Sequence, residues 1–434
     1  MAVGRVKPFR PAPTRPGGPH LRPIGLDSSP LHGELLGVER LEERARALAA
    51  GFTLSRHPRR GPHRLLRRLT DDARVLRQTY RLLAGDVRRG EAMGPAAEWL
   101  LDNFHLVEGE IREIRHHLPT RYYLELPKLA TRELSGTARV YAMAVELLRY
   151  SDARLDLERL ARFMNAYQTV APLSIGELWA WPSMLKLALI ENLRLLTDGM
   201  LAGRGARLEA DLALARLEHG HPPGSLPDPL PSAFVAQLRQ RMREYDPRVS
   251  PLAAAVEQAL AAQGTTPEDA VRSENQRQAT DQVSTGNTVT SLRFCATHDW
   301  SRFVELVSPM EEVLRRDPAG VYPRMDFASR DRYRHAVEDL AEPTGEAQVR
   351  VALRAVESSR GAAEQKGIGD RTAHVGYHLV GPGRRGLEID VAYRPRLAGR
   401  VRRWAFAHAT AAYLGGIGVL TGVGVFGAYA YAAA

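Results

Sequence analysis

WAFAHATAAYLGGIGVLTGVGVFGAYAYAAA, residues 404–434, contains no Asp, Glu, Lys or Arg, and nothing else in the chain resembles it. A helix needs about 20 apolar residues to cross a hydrocarbon layer of roughly 30 Å, and this run is longer. Trp404 stands at one end, with Tyr429 and Tyr431 near the other, where amphipathic rings suit the two interfaces. Arg394, Arg396, Arg400, Arg402 and Arg403 precede the run, and arginines beside a span mark its cytoplasmic side. A buried soluble helix is the competing reading, but each of the six glycines from Gly415 to Gly427 would cost ~1 kcal/mol there. Residues 401–434 are therefore expected to form a transmembrane helix, with the preceding chain cytoplasmic. Gly418 and Gly422 make a GxxxG pair, which lets helix backbones approach closely in a bilayer. Gly422, Gly424 and Gly427 also spell GxGxxG. No strand precedes them and no acidic ribose partner follows, so nucleotide binding is not read there.

Of the 434 residues, 44% are hydrophobic and 25% charged, ordinary globular values with room for two or three folded units. The single Cys295 excludes an internal disulfide and reads as a small buried apolar residue rather than a nucleophile. A net charge of +10, carried mostly by arginine, is spread among nearly as many acids along helical faces. With the apolar terminus, that pattern points to a membrane and its anionic lipid headgroups, and argues against nucleic acid. The N-terminus has no apolar core of a signal peptide.

Periodicity predicts an all-α chain in which a multi-helical region precedes the terminal helix. Residues 1–32, with prolines at 8, 11, 13, 16, 19, 23 and 30 among Arg and Lys, are expected to be a disordered basic arm. Residues 33–220 read as a helical domain, 221–231 (HPPGSLPDPLP) as a Pro-rich linker, and 232–400 as a second helical region. Residues 95–118 read as one amphipathic helix, with Leu100, Phe104, Val107, Ile111 and Ile114 on its apolar stripe and His116 and His117 at its C-terminal end. Ser174 and Glu177 make a capping box for a helix to about Ala202 that Pro182 should kink, with a separate helix over 207–219. Thr266 caps a helix over 268–282, a further helix follows over 287–298, and Asp299 caps the next. Residues 374–380 alternate weakly and are read as a lone extended segment.

The chain offers no recognisable active site. No two aspartates are separated by one residue, and phosphate-loop, HExxH, GxSxG and CxxC motifs are absent. The pairs Asp71–Asp72 and Glu311–Glu312 sit at adjacent helical positions and diverge. His219 and His221 lack a third metal ligand nearby. Tyr167, Trp179 and Trp181 offer a sugar a stacking surface, although core packing is the plainer reading. No catalytic, cofactor-binding or metal-binding residue is assigned.

Seven blocks nevertheless occur together in a telling order: DDARVLRQTYRLL at Asp71, EWLLDNFHLVEGEIREIRHHLP at Glu98, YYLELPKLA at Tyr122, LSIGELWAWPSMLKLALIENLRLL at Leu173, STGNTVTSLRFCATHDW at Ser284, DPAGVYPRMDFASRDRYRHAVE at Asp317 and HVGYHLVGPGRRGLE at His374. From about residue 62 onward the chain resembles the N-terminal region of cyclic beta-1,2-glucan synthase; residues 1–61 match nothing recognisable. The resemblance implies a large multi-spanning enzyme of the bacterial inner membrane that polymerises glucose from UDP-glucose, with a divalent cation. It places the glucosyltransferase and phosphorylase-like domains beyond Ala434, so no catalytic residue carries over and the absence of DxD is what it implies for this segment. The chain is thus expected to be the cytoplasmic region and first membrane helix of such a synthase, inactive alone and partnered by the missing catalytic domains of the same polypeptide. Residues 317–334 are the candidate contact, because Tyr322, Phe327 and Tyr333 alternate with charges; a loop packed on its own domain is the alternative. A tail-anchored helical scaffold remains the second functional reading.

Overall fold

The computed structural model describes residues 30–31, 34–55, 64–91, 93–130, 134–219, 221–222, 224–242, 250–393 and 408–433. The expected basic arm at 1–32 falls almost wholly outside them, and so do the arginines from Arg394 to Arg403. The fold is all-α. Among the described residues no strand forms, only the isolated bridges Leu54–Leu129 and Lys128–Ala138.

The helices are α1 (Val38–Gly51), α2 (Arg64–Arg88), α3 (Pro95–Asp102), α4 (Phe104–His117), α5 (Thr120–Glu125), α6 (Arg139–Arg149), α7 (Leu157–Gln168), α8 (Ile175–Glu218) and α9 (Ser232–Met242). They continue with α10 (Ser250–Ala262), α11 (Pro267–Thr297), α12 (Trp300–Val307), α13 (Pro309–Leu314), α14 (Phe327–Thr344), α15 (Gln348–Lys366), α16 (Val375–Leu379), α17 (Arg384–Asp390) and α18 (Ala409–Ala433). Two compact units result, Met1–Leu160 with Ala180–His298 and Ala161–Trp179 with Asp299–Ala434. The Pro-rich residues 221–231 lie inside the first unit, and the division falls within α7 and α8.

In the first unit, α6 is buried from Arg139 to Leu148, and α11 packs on α3, α4 and α9. Leu214, Phe234, Leu238, Leu252, Val256 and Leu260 close a core that joins α8, α9, α10 and α11. Each such side chain contributes about 1.5–3 kcal/mol on burial. In the second unit, α15 packs on α13, α14, α16 and α17. Phe303, Leu314, Val337, Leu340, Val351 and Leu379 are buried there.

Several helix boundaries differ from the sequence reading, each for a local reason. The helix expected over 95–118 divides at Asn103 (φ −110°, ψ 11°). The Asn103 amide donates to the Trp99 carbonyl at 2.9 Å and its oxygen accepts from Arg293 at 2.7 Å, so the side chain competes with the helical ladder. Conversely, α8 runs unbroken for 44 residues through Pro182 and past Gly203 and Gly205. Trp181, Met184 and Leu185 are fully buried around the proline, so tertiary burial outweighs the local penalty. At Gly203 a Cβ would lie 2.7 Å from the Arg277 guanidinium, so the glycine admits a crossing side chain rather than ending a helix. The helices expected over 268–282 and 287–298 merge into α11, 31 residues long, where Ser284, Thr285, Thr288, Val289 and Leu292 are buried. The segment 374–380 is helical rather than extended, as α16.

The caps form as the sequence implies. Glu177 N–H donates to Ser174 Oγ at 3.3 Å, and Ser174 N–H donates back to Glu177 Oε2 at 3.0 Å. Thr266 accepts from Asp269 N–H at 3.1 Å, while Asp299 accepts from Ser301 and Arg302 at 3.1 and 3.2 Å. Replacing the exposed Thr266 with alanine is expected to cost about 1 kcal/mol, seen as a lower urea midpoint. An unchanged midpoint would mean that α11 is held by packing alone.

The terminal helix forms, but the expected transmembrane assignment of 401–434 is not supported. Among the described residues no helix is long and apolar enough to cross a membrane. In α18, glycines at 415, 416, 418, 422, 424 and 427, tyrosines at 413, 429 and 431 and threonines at 410 and 421 add little transfer free energy into hydrocarbon. The helix is 25 residues long and uncharged, and its large side chains, among them Leu420 at 74% and Phe426 at 72%, are exposed.

Candidate functional site

Among the described residues polar side chains converge on a loop of the second unit and around a cavity of the first, besides buried ion pairs such as Lys186–Glu110 and Arg44–Glu146. In the second unit the loop between α13 and α14 is organised by Asp317, which is buried. Its Oδ2 accepts from the backbone N–H of Val321 and Tyr322, both at 3.0 Å, and from His374 Nδ1 at 2.9 Å; its Oδ1 accepts from Val375 N–H at 2.9 Å. Burial alone would raise the Asp317 pKa, but the hydrogen bonds from His374, Tyr322 and Val375 outweigh it and hold the carboxyl below the usual carboxylate range. With Nδ1 donating to the carboxylate, a neutral His374 presents Nε2 as acceptor to the Tyr333 hydroxyl at 3.2 Å. At Gly376 a Cβ would press on that hydroxyl, so any larger residue would have to displace Tyr333 or His374.

Beside this group lies a second, also closed. Glu311 is fully buried and accepts from the Tyr322 hydroxyl at 2.7 Å, Arg334 Nη1 at 3.0 Å and Arg315 Nε at 3.0 Å. Arg334, itself fully buried, also lies 3.3 Å from Glu305 and 3.3 Å from Asp331. Its guanidinium stands 4.7 Å from the Phe327 ring centre, and Trp179 meets the same ring edge-on at 5.9 Å. Tyr322 is fully buried and Phe327 and Tyr333 are half-buried, and all three contact residues of their own unit, in line with the alternative of a loop packed on its own domain. Burial raises the pKa of the Tyr322 and Tyr333 hydroxyls, so neither is an activated nucleophile. The arrangement locks a loop.

In the first unit a cavity of about 590 Å³ opens among α2, α3, α8, α9 and α11. Asp86, Arg204, Arg207, Asp211, Arg277 and Asp281 line it, with Gln237, Gln240 and Gln278. Arg204 Nη2 donates to Asp86 Oδ1 at 2.7 Å, and this pairing, against a smaller desolvation effect, holds the Asp86 pKa below its usual range. Arg277 reaches Glu274 at 2.7 Å and Asp281 at 2.9 Å, while Gln237 and Arg241 reach Asp211 at 2.9 and 3.3 Å. Among the described residues Arg207 pairs only with Glu274, at 4.0 Å, and burial holds its pKa below the usual guanidinium value. No single stretch of sequence announces this cavity. Its polar residues come from four helices, and nothing in their spacing ties Asp86 to Arg204.

The other candidate positions read as structural. Cys295, the single cysteine, is buried, and burial pushes its thiol pKa up to about 12, far from a reactive thiolate. Asp71 and Asp72 diverge, Asp71 pairing with Arg74 at 3.0 Å and Asp72 turning toward Arg194 at 3.5 Å, where burial raises its pKa to about 6. His117 and His219 contact the carbonyls four residues back, at 3.2 and 2.7 Å. Among the described residues no group of three or more His, Cys, Asp or Glu is placed to hold a metal ion. The divalent cation of a nucleotide-sugar site therefore finds no fit here, and no step of glucosyl transfer is assigned to this chain.

Among the described residues the structure thus defines an all-helical region of two compact units, the first with a polar cavity and the second with a closed polar hub. No family model matches the sequence. The chain is 32% identical over 349 residues to the cyclic beta-(1,2)-glucan synthase NdvB of Rhizobium meliloti (strain 1021), an alignment that covers 77% of this chain and 12% of that protein. The chain is thus similar to part of a cyclic beta-(1,2)-glucan synthase, and spans about an eighth of that relative's length.

Proposed function

We propose that this chain acts as the helical N-terminal region of a cyclic beta-1,2-glucan synthase, supporting a catalytic domain that uses UDP-glucose, and that it does not transfer glucose alone. The observation that carries this is the 32% identity over 349 residues. The test co-expresses this chain with the R. meliloti relative deleted for its matching region, in cells lacking their own synthase. Cyclic glucan is expected only when both pieces are present. Glucan from the deleted relative alone, or none from the pair, would remove the supporting role. A separate incubation of the purified chain with labelled UDP-glucose and magnesium is expected to leave it unlabelled.

The same region is proposed to associate with a bacterial inner membrane through α18. The support is an uncharged helix of 25 residues with exposed Leu414, Val419, Leu420, Val423 and Phe426. So large an apolar surface has no place in water without a covering phase. Flotation with vesicles of three parts phosphatidylcholine to one part phosphatidylglycerol checks this. The chain should float with the vesicles and Leu420→Arg with Phe426→Arg should abolish it; a chain that stays at the bottom would end the membrane reading.

A further inference from the structure

We propose that the cavity of the first unit binds a neutral, polyhydroxylated ligand, of the class of a short oligosaccharide. Its volume of about 590 Å³ lies within the range of small-molecule sites, roughly 300–1,000 Å³. Charge selects the class. Asp86, Glu91, Asp211 and Asp281 face Arg204, Arg207, Arg241 and Arg277, four acids against four bases, so the lining carries no net charge. An entering anion or cation would meet as many like charges as opposite ones, and desolvating an ion without net compensation is costly. Among the described residues no aromatic ring lines the cavity, so none offers a nucleobase a stacking surface.

Hydrogen-bonding capacity points the same way. Carboxylates, amides and guanidiniums are planar groups with two or more polar atoms side by side, the pattern that bridges vicinal hydroxyls. The exposed Gln240 amide has no protein partner among the described residues. Leu83, Met93, Pro95, Met200 and Leu208 add apolar surface for the C–H faces of a sugar ring. Arg277 is held across α8 at Gly199 and Gly203, where a Cβ on Gly203 would come within 2.7 Å of it. Choosing a glucosyl ligand rests on the function proposed above; the neutral polyol class rests on the cavity alone.

The test is saturation-transfer NMR and calorimetry on the whole chain, with sophorose and linear beta-1,2-linked gluco-oligosaccharides as probes and with inorganic phosphate and UDP as charged comparators. Saturable millimolar or tighter binding of the neutral glycans is expected, weakened roughly three- to tenfold by Gln240→Ala, which removes hydrogen bonds. Gly203→Ala should also weaken it by displacing Arg277, at some cost in thermal stability, since the buried Glu274 loses hydrogen bonds while alanine adds helix propensity. The proposal is overturned if no neutral glycan binds, if phosphate or UDP binds at Arg207 in preference, or if binding is unchanged in both folded variants. Co-expression keeps the two readings apart. Glucan synthesis retained by a Gln240→Ala chain that has lost glycan binding leaves the supporting role standing, while glycan binding without synthesis counts against that role alone.

Discussion

Glu311→Ala is expected to destabilise the second unit by about 3–5 kcal/mol, because removing one partner of a buried pair strands the other charge. Arg334 would keep Glu305 and Asp331, both at 3.3 Å, but lose its contact with Glu311 at 3.0 Å while still fully buried. The Tyr322 hydroxyl would lose its acceptor as well. Since the chain has two compact units, a single unfolding midpoint is a poor readout. Hydrogen exchange resolved by peptide should show α13, α14 and α15 losing protection while α9, α10 and α11 keep theirs. Glu311→Gln retains the shape and should cost less. A Glu311→Ala chain with protection within about 1 kcal/mol of the original would show the hub to be dispensable, as some buried ion pairs are.

The second large effect belongs to Asp317. Asp317→Ala leaves three backbone N–H groups and the His374 imidazole without their acceptor, and about 3 kcal/mol is expected at neutral pH. Its pH dependence has a definite sign. The folded carboxyl has a depressed pKa, so its contribution is fully present above the unfolded value of about 3.9 and is lost as pH falls through the lower folded value. The original chain should therefore lose stability of the second unit below about pH 4, and Asp317→Ala should be flatter across that interval. Urea midpoints of α14 and α15 exchange at neutral pH and at pH 3 would check both parts. Parallel slopes for the two chains would place the acid sensitivity elsewhere.

Where a structural signal was local, the sequence carried it. Thr266, Asp299 and the pair Ser174–Glu177 act within three residues of themselves, and each forms the cap its spacing implies. Helical class was legible from apolar periodicity, and Cys295 as a buried residue from its isolation in apolar context. Helix length was not. Asn103 splits one predicted helix because Arg293, 190 residues away, takes its side-chain oxygen; another runs on past its expected end near Ala202, where Arg277 crosses it at Gly203. Both outcomes depend on partners that no window of sequence contains.

The family blocks were legible as a set, and the identity to a glucan synthase bears them out. What they are for was decided by the fold. The alternation of Tyr322, Phe327 and Tyr333 with charges suggested a face for another domain, yet Glu311, Arg334 and His374 draw all three rings into one unit, because burying a charged group requires partners on every side. The cavity was invisible for the complementary reason. Its acids and bases look like solvated helix surface one helix at a time, and only packing α2, α3, α8, α9 and α11 together makes them a neutral, polar enclosure. Sequence by itself determined the helices, their local caps and the family resemblance, since these depend on neighbours along the chain. Tertiary structure alone decided which helices run on, which aromatic residues turn inward and where a ligand has room, since each of these depends on groups distant in sequence.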